Sequence, residues 1–176
     1  RRPEARDPAP DGTPLGFGSR HVPALGIEAA QMPFVFASRG SRFLIGVPYS
    51  VDNRLTLFAA PREGLASGDL AWRRVIGPED AVRGFVQHGD DLLLLTATTA
   101  NRRIERLSLA RPDAAREVVV PSGLEPIDSI TASSDALYWV AMRESGVGAR
   151  LFRLPWGSEA AREIVLPALD TIIPYA

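Results

Sequence analysis

The chain has 176 residues, 45% hydrophobic and 23% charged, enough to bury the core of one ordinary globular domain. A formal net charge of -1, scattered along the chain, gives no basic stripe for a nucleic-acid surface. The absence of cysteine removes disulfides, thiolate nucleophiles and cysteine-based zinc sites together, and no apolar run approaches the roughly 18 residues of a membrane span. All 20 basic residues are Arg, a compositional bias from which no function is drawn. The start, Arg1-Arg2-Pro3-Glu4, lacks Met and any apolar stretch after its basic pair, so we expect a piece cut from something longer. We expect a cytoplasmic location; the lack of cysteine leaves the periplasm open.

Apolar residues arrive in short runs with β-branched or aromatic members, separated by Gly, Pro, Asp, Asn and Ser, the pattern of strands and turns. Phe34 to Ala37 is the first such run. A turn at Arg39-Gly40-Ser41 leads into Phe43 to Val47, a loop with Asp52-Asn53 follows, then Leu55 to Phe58 and Trp72 to Ile76. The same order returns as Val82 to Val86, a Gly89-Asp90-Asp91 turn, Leu92 to Leu95, Ile104 to Leu109 and Glu117 to Val120. It returns once more as Ile127 to Ala132, a Ser133-Ser134-Asp135 turn, Leu137 to Val140, Leu151 to Leu154 and Glu163 to Leu166.

Phe43, Leu92 and Leu137 hold equivalent places, a period of about 45 residues that suits the four-stranded blades of a β-propeller. The expected fold is all-β: a partial propeller of about three four-stranded antiparallel blades. Residues 1–19 read as the end of a preceding blade, 20–77, 78–122 and 123–169 as three blades, and 170–176 as the start of the next. Second strands such as Leu92 to Leu95 and Leu137 to Val140 are apolar at consecutive positions and should be buried on both faces. Third strands, with Glu105 and Arg106 among Ile104 and Leu107, suit a place nearer solvent. The best helical candidates, Glu63 to Ser67 and Asp113 to Arg116, span little more than a turn.

The candidate chemistry is thin, and no catalytic, cofactor-binding or metal residue is assigned. Gly16-Phe17-Gly18-Ser19-Arg20 sets Ser19 one place late for a serine elbow and reads as a loop. Gly146-Val147-Gly148 lacks the third Gly and the helix of a dinucleotide fingerprint, so it reads as a hairpin turn and implies no cofactor. His21 and His88 lack zinc-ligand spacing, and His88-Gly89-Asp90-Asp91 is accounted for as a turn. Glu79-Asp80 and Asp90-Asp91 read as solvated turn residues, Arg102, Arg103 and Arg106 as a solvated face. Trp72, Trp139 and Trp156 fall at different places in the repeat and are expected in core and inter-blade packing.

Val86-Gln87-His88-Gly89-Asp90-Asp91-Leu92-Leu93-Leu94-Leu95-Thr96 resembles a stretch of the prolyl oligopeptidase propeller that ends in a Gly-Asp turn and a strand closing with Leu-Thr. Asn101 to Ile104, Leu109 to Asp113 and Glu117 to Pro121 continue it. Upstream, Pro33-Phe34-Val35, Ser41-Arg42-Phe43, Asn53 to Pro61 and Trp72 to Val75 keep the same order, so the likeness runs from about residue 14 to residue 170.

The resemblance implies a seven-bladed propeller beside an α/β-hydrolase domain, in a serine peptidase that cleaves short peptides after proline. The propeller would keep large folded substrates from the catalytic triad. The implied partners are the hydrolase domain of the parent chain and short peptide substrates. No triad residue falls within this sequence. The family's cavity-facing Arg and Cys do not carry over to Val47-Pro48-Tyr49-Ser50-Val51-Asp52, and Ala97-Thr98-Thr99-Ala100 replaces a usual Lys-Asp-Ala-Pro. A reading from another class is a stand-alone propeller that serves as a protein-binding scaffold. Three isolated blades would leave apolar faces at Phe34, Phe36, Phe43 and Ile45 and at Leu137 to Val140, so self-association is expected.

Overall fold

The computed structural model describes residues 31–165, apart from positions 53, 69, 144, 146 and 147. The described residues form three four-stranded antiparallel sheets, each a simple meander. The first holds β1 (Met32–Phe36), β2 (Phe43–Tyr49), β3 (Leu57–Pro61) and β4 (Arg73–Ile76). The second holds β5 (Val82–His88), β6 (Asp91–Thr96), β7 (Arg103–Ser108) and β8 (Glu117–Val120), and the third β9 (Ile127–Ala132), β10 (Ala136–Met142), β11 (Ala149–Pro155) and β12 (Arg162–Ile164). This is the all-β partial propeller that the repeat predicts. Of the two helical candidates, one is a 3-10 turn at Arg62–Leu65 and the other an irregular turn.

Strand β6 shows how the sheets are joined. A strand points successive side chains to opposite faces. Leu92 and Leu94 accordingly enter a core shared with Ile45, Val47, Leu57 and Ile76 of the first sheet. Leu93 and Leu95 enter a second core with Ile127, Leu137, Trp139 and Leu154 of the third. At about 1.5–3 kcal/mol for each fully buried leucine, this one strand ties the middle sheet to both neighbours. The consecutive apolar residues of the second strands thus mark burial on both faces, as expected.

The turns that open β2 and β6 need backbone that a side chain resists. Gly40 has φ +81° and Gly89 φ +56°, so each turn places glycine where the chain enters the left-handed region. Bulges recur too: the ladders shift register between Leu57 and Phe58 and between Ile104 and Glu105, at the start of the third strand in both sheets. Each adds local twist where the outer strand joins.

One expectation holds in part and one is overturned. The third strand β11 is half-buried at six of its seven residues and Arg106 in β7 is exposed, as expected, but all but the last residue of β3 is buried and Glu105 in β7 is only 5% exposed. The charge of Glu105 is carried inward because Arg103 meets it at 2.6 Å, with Arg116 3.6 Å away. The apolar end faces are not open. Of the eight residues expected there only Phe34 and Phe36 are exposed. Ile45, Leu137 and Trp139 lie on the covered side of their strands, inside the two cores.

Candidate functional site

The first strands of the three sheets converge on one groove of about 650 Å³, lined by Phe34 and Phe36 of β1, Gly84 to Gln87 of β5 and Thr131 and Ala132 of β9. Val47, Tyr49 and Leu55 complete its wall. The aromatic rings form a chain: Phe34 meets Tyr49 edge-on with centroids 6.1 Å apart, and Phe36 meets Phe85 edge-on at 5.6 Å, across the seam between two sheets. Edge-to-face pairs of this kind satisfy the ring quadrupoles and hold the rings in place.

That lining holds no carboxylate, imidazole or guanidinium side chain. Its one strongly polar side chain is committed: the Gln87 amide donates to the Ser41 hydroxyl at 2.8 Å and the Phe43 carbonyl at 3.2 Å, and its oxygen accepts the Ser38 N–H at 3.1 Å. The lining is thus mainly apolar and aromatic, with Ser38, Tyr49, Gln87 and Thr131 as its polar members. The sequence reading set Phe34 and Phe36 on a blade face and missed the groove. Its signal was Met32-Pro33-Phe34-Val35-Phe36, apolar at every position, in the first strand of a sheet.

The residues weighed from sequence fall elsewhere. Ser19 and His21 lie outside the described residues, as do Gly146 and Val147. Gly148 has φ +82° and its carbonyl accepts the Arg143 N–H at 3.2 Å, closing the connection between β10 and β11 as a hairpin turn does. His88 stands at the end of β5, and its ring stacks on Trp156 of the third sheet, 3.8 Å between centroids. Trp139 is buried and stacked on Phe152, so two of the three tryptophans pack between or within sheets as expected; Trp72 is half-buried just before β4.

Of the charged residues read as solvated, Glu79 and Arg106 are exposed as expected, whereas Asp80, Asp90 and Arg102 are structural ties. Asp80 accepts the Gly77 N–H at 2.8 Å and pairs with Arg116 at 2.6 Å. Asp90 accepts the backbone N–H of Arg42 from the first sheet, and that bond, ahead of the ion pair with the same residue, holds its carboxyl below the usual carboxylate range. Arg102 donates to the carbonyls of Ile127 and Asp128 at 2.9 and 3.1 Å, reaching the third sheet, and Arg106 pairs with Glu117. Sequence alone cannot show these partners, because most lie in other strands or the neighbouring sheet.

No protein-family model matches the chain, and no curated protein matches it. Solved structures do. A prolyl endopeptidase, from a study of two such enzymes and the role of inter-domain dynamics in their catalysis and specificity, superposes with a TM-score of 0.63 at 14% identity over 79% of this chain. Oligopeptidase B from Trypanosoma brucei, solved in closed form with covalently bound antipain, gives 0.61 at 20% identity over 78% of this chain. Oligopeptidase B from Leishmania major gives 0.57 at 18% identity, again over 78%. The chain has the prolyl oligopeptidase propeller fold. It spans 20% of the length of each of these structures, and at such identities it is the fold that is shared.

Proposed function

We propose that this chain is a non-catalytic part of the propeller of a prolyl oligopeptidase-like serine peptidase, contributing to the wall that admits short peptides and holds back folded proteins. The observation that carries the reading is the groove. Three first strands turn an apolar, aromatic surface with no carboxylate, imidazole or guanidinium side chain toward one space, in a fold shared with prolyl endopeptidase and oligopeptidase B. Such a surface contacts a passing peptide without cleaving it. Bond cleavage falls to a hydrolase domain elsewhere in the parent chain, because stabilising an acyl-transfer transition state requires a nucleophile and oxyanion donors.

The test is made on the full protein whose reading frame contains this chain. Purified, it should hydrolyse a Gly-Pro reporter peptide, lose that activity to a serine-directed inhibitor, and leave a folded protein substrate intact; the 176-residue chain alone should show no turnover. A full-length protein with no peptidase activity would overturn the proposal and favour the scaffold reading. Cleavage of folded proteins as fast as of short peptides would remove the gating role.

A further inference from the structure

Strand β1 ends the first sheet, hydrogen-bonded to β2 on one side, and among the described residues no strand pairs with its other edge. The ladder with β2 shows which main-chain groups that edge offers. In an antiparallel pair, opposed residues that exchange two N–H···O bonds alternate with opposed residues that exchange none. Pro33 stands opposite Pro48, and because neither has an N–H, this pair exchanges none. By the alternation, Val35 opposite Gly46 is another such pair. The N–H and C=O of Val35 therefore both point to the free edge, where Pro33 offers a carbonyl alone. Val35 is itself 50% exposed. Its neighbours Phe34 and Phe36 project from the opposite face of the strand and line the groove.

We propose that the groove takes its peptide as a short antiparallel strand added to β1. The main chain of one peptide residue bonds Val35 through both of its polar groups, and the side chains on either side of that residue enter the groove beside Phe34 and Phe36. The inference rests on the reading of the groove as part of a peptide's path and adds the substrate class: extended peptides with uncharged, apolar side chains two residues apart.

The selectivity follows from the pleat. A peptide residue opposite Val35 shares its face of the sheet, so the residues on either side of it fall on the face of Phe34 and Phe36. A charged side chain there would lose water and meet no counter-charge in the lining. Pro33 sets the length. Two residues before Val35 the edge accepts a hydrogen bond but donates none, so an added strand gains little by running further. A groove of about 650 Å³ is within the size range of small-ligand sites and suits a segment of a few residues.

Binding is measured on the full protein whose reading frame contains this chain, treated with a serine-directed inhibitor, with acetyl-Phe-Ala-Phe-amide as the probe. Saturable binding below about 1 mM is expected. N-methylation of the central alanine removes the donor that meets the Val35 carbonyl and should weaken binding about tenfold; acetyl-Asp-Ala-Asp-amide should bind at least as weakly. On the protein side, Val35→Pro deletes the edge N–H and leaves the ladder with β2 intact, as Pro33 does, so it should also weaken binding about tenfold. Val35→Ala keeps the donor and should stay within about twofold. Circular dichroism checks that both variants keep their strands, and the N-methyl arm decides if Val35→Pro fails to fold. No saturable binding of the parent probe, equal binding of the N-methyl peptide, or equal weakening by Val35→Ala and Val35→Pro would overturn the inference. Reporter hydrolysis without probe binding would sink this inference and leave the proposed function standing; probe binding in a protein without peptidase activity would do the reverse.

Discussion

The carboxylate of Asp90 holds Arg42 across the seam between the first and second sheets, accepting its backbone N–H at 2.8 Å and its Nε–H at 2.6 Å. The two bonds differ in worth. The Arg42 side chain is 75% exposed, so the ion pair is largely screened by water, whereas Asp90 is only 23% exposed and satisfies a main-chain donor. Asp90→Ala should therefore lower the unfolding free energy by about 1–2 kcal/mol, and Arg42→Ala by less than about 1 kcal/mol. Urea denaturation of the two variants checks the order; a larger loss for Arg42→Ala would show that the guanidinium carries the seam.

The same bond gives the fold an acid limit. Asp52, Asp90, Asp135 and Glu163 are all held below their ordinary values of 3.8 and 4.5. The leading causes are the backbone N–H of Arg54 for Asp52, that of Arg42 for Asp90, the Ser133 hydroxyl for Asp135 and the Arg150 guanidinium for Glu163. A carboxyl whose folded pKa is depressed binds fewer protons folded than unfolded. Its stabilisation is present above the ordinary pKa and lost as pH falls through the folded one. From these four groups the urea midpoint should hold level between about pH 7 and pH 5.5, then fall below about pH 4.5, less steeply in Asp90→Ala. A midpoint unchanged at pH 3 would contradict the assignment.

How much of this was legible in the sequence depends on how far each residue reaches. Leu92 to Leu95 announced a strand buried on both faces, because strand alternation alone sends those side chains into two cores. Gly89 announced its turn through the positive φ that it adopts. Glu105 was misread because the pattern of charge in a strand marks solvent only when the charge has no partner, and its partners Arg103 and Arg116 flank it two and eleven residues away. The groove was missed for a related reason. Phe85 and Phe36 sit in separate repeats, and only the packing of two sheets brings their rings to 5.6 Å.

Glu105 itself should be expensive to remove. Its carboxylate is buried beside Arg103 and Arg116, and Arg116 continues to Asp80, so one charge holds together β7, the start of β8 and the turn before β5. Truncation leaves the partly buried Arg103 guanidinium without its counter-charge, while Arg116 keeps Asp80 at 2.6 Å. Glu105→Ala should cost about 2–4 kcal/mol, below the full cost of breaking a dry ion pair because Arg103 remains a third exposed. A lower urea midpoint with an unchanged m-value would be the expected signature. A loss below about 0.5 kcal/mol would mean that water replaces the carboxylate without penalty.

The seam between the second and third sheets has its own tie in His88 and Trp156, whose rings lie 17° from parallel with centroids 3.8 Å apart. Trp156 is held for this contact. Its indole N–H donates to the Ser133 carbonyl at 3.0 Å and its backbone N–H to the Asp135 carbonyl at 3.1 Å, so little rotamer freedom is lost on stacking. Trp156→Ala removes the stack, the indole hydrogen bond and the packing beneath it, whereas His88→Ala at an exposed strand end removes little besides the stack. Neither single loss isolates the ring contact, but the coupling energy from a double-mutant cycle does. Stacked aromatic pairs contribute about 0.5–1.5 kcal/mol beyond area burial, and the exposure of His88 places this one near the lower end. We expect a coupling of about 0.5–1 kcal/mol by chemical denaturation, with Trp156→Ala the more damaging single change. Strict additivity would show that the rings adjoin without stabilising the seam, leaving that work to the Arg102 bridge and the leucines of β6.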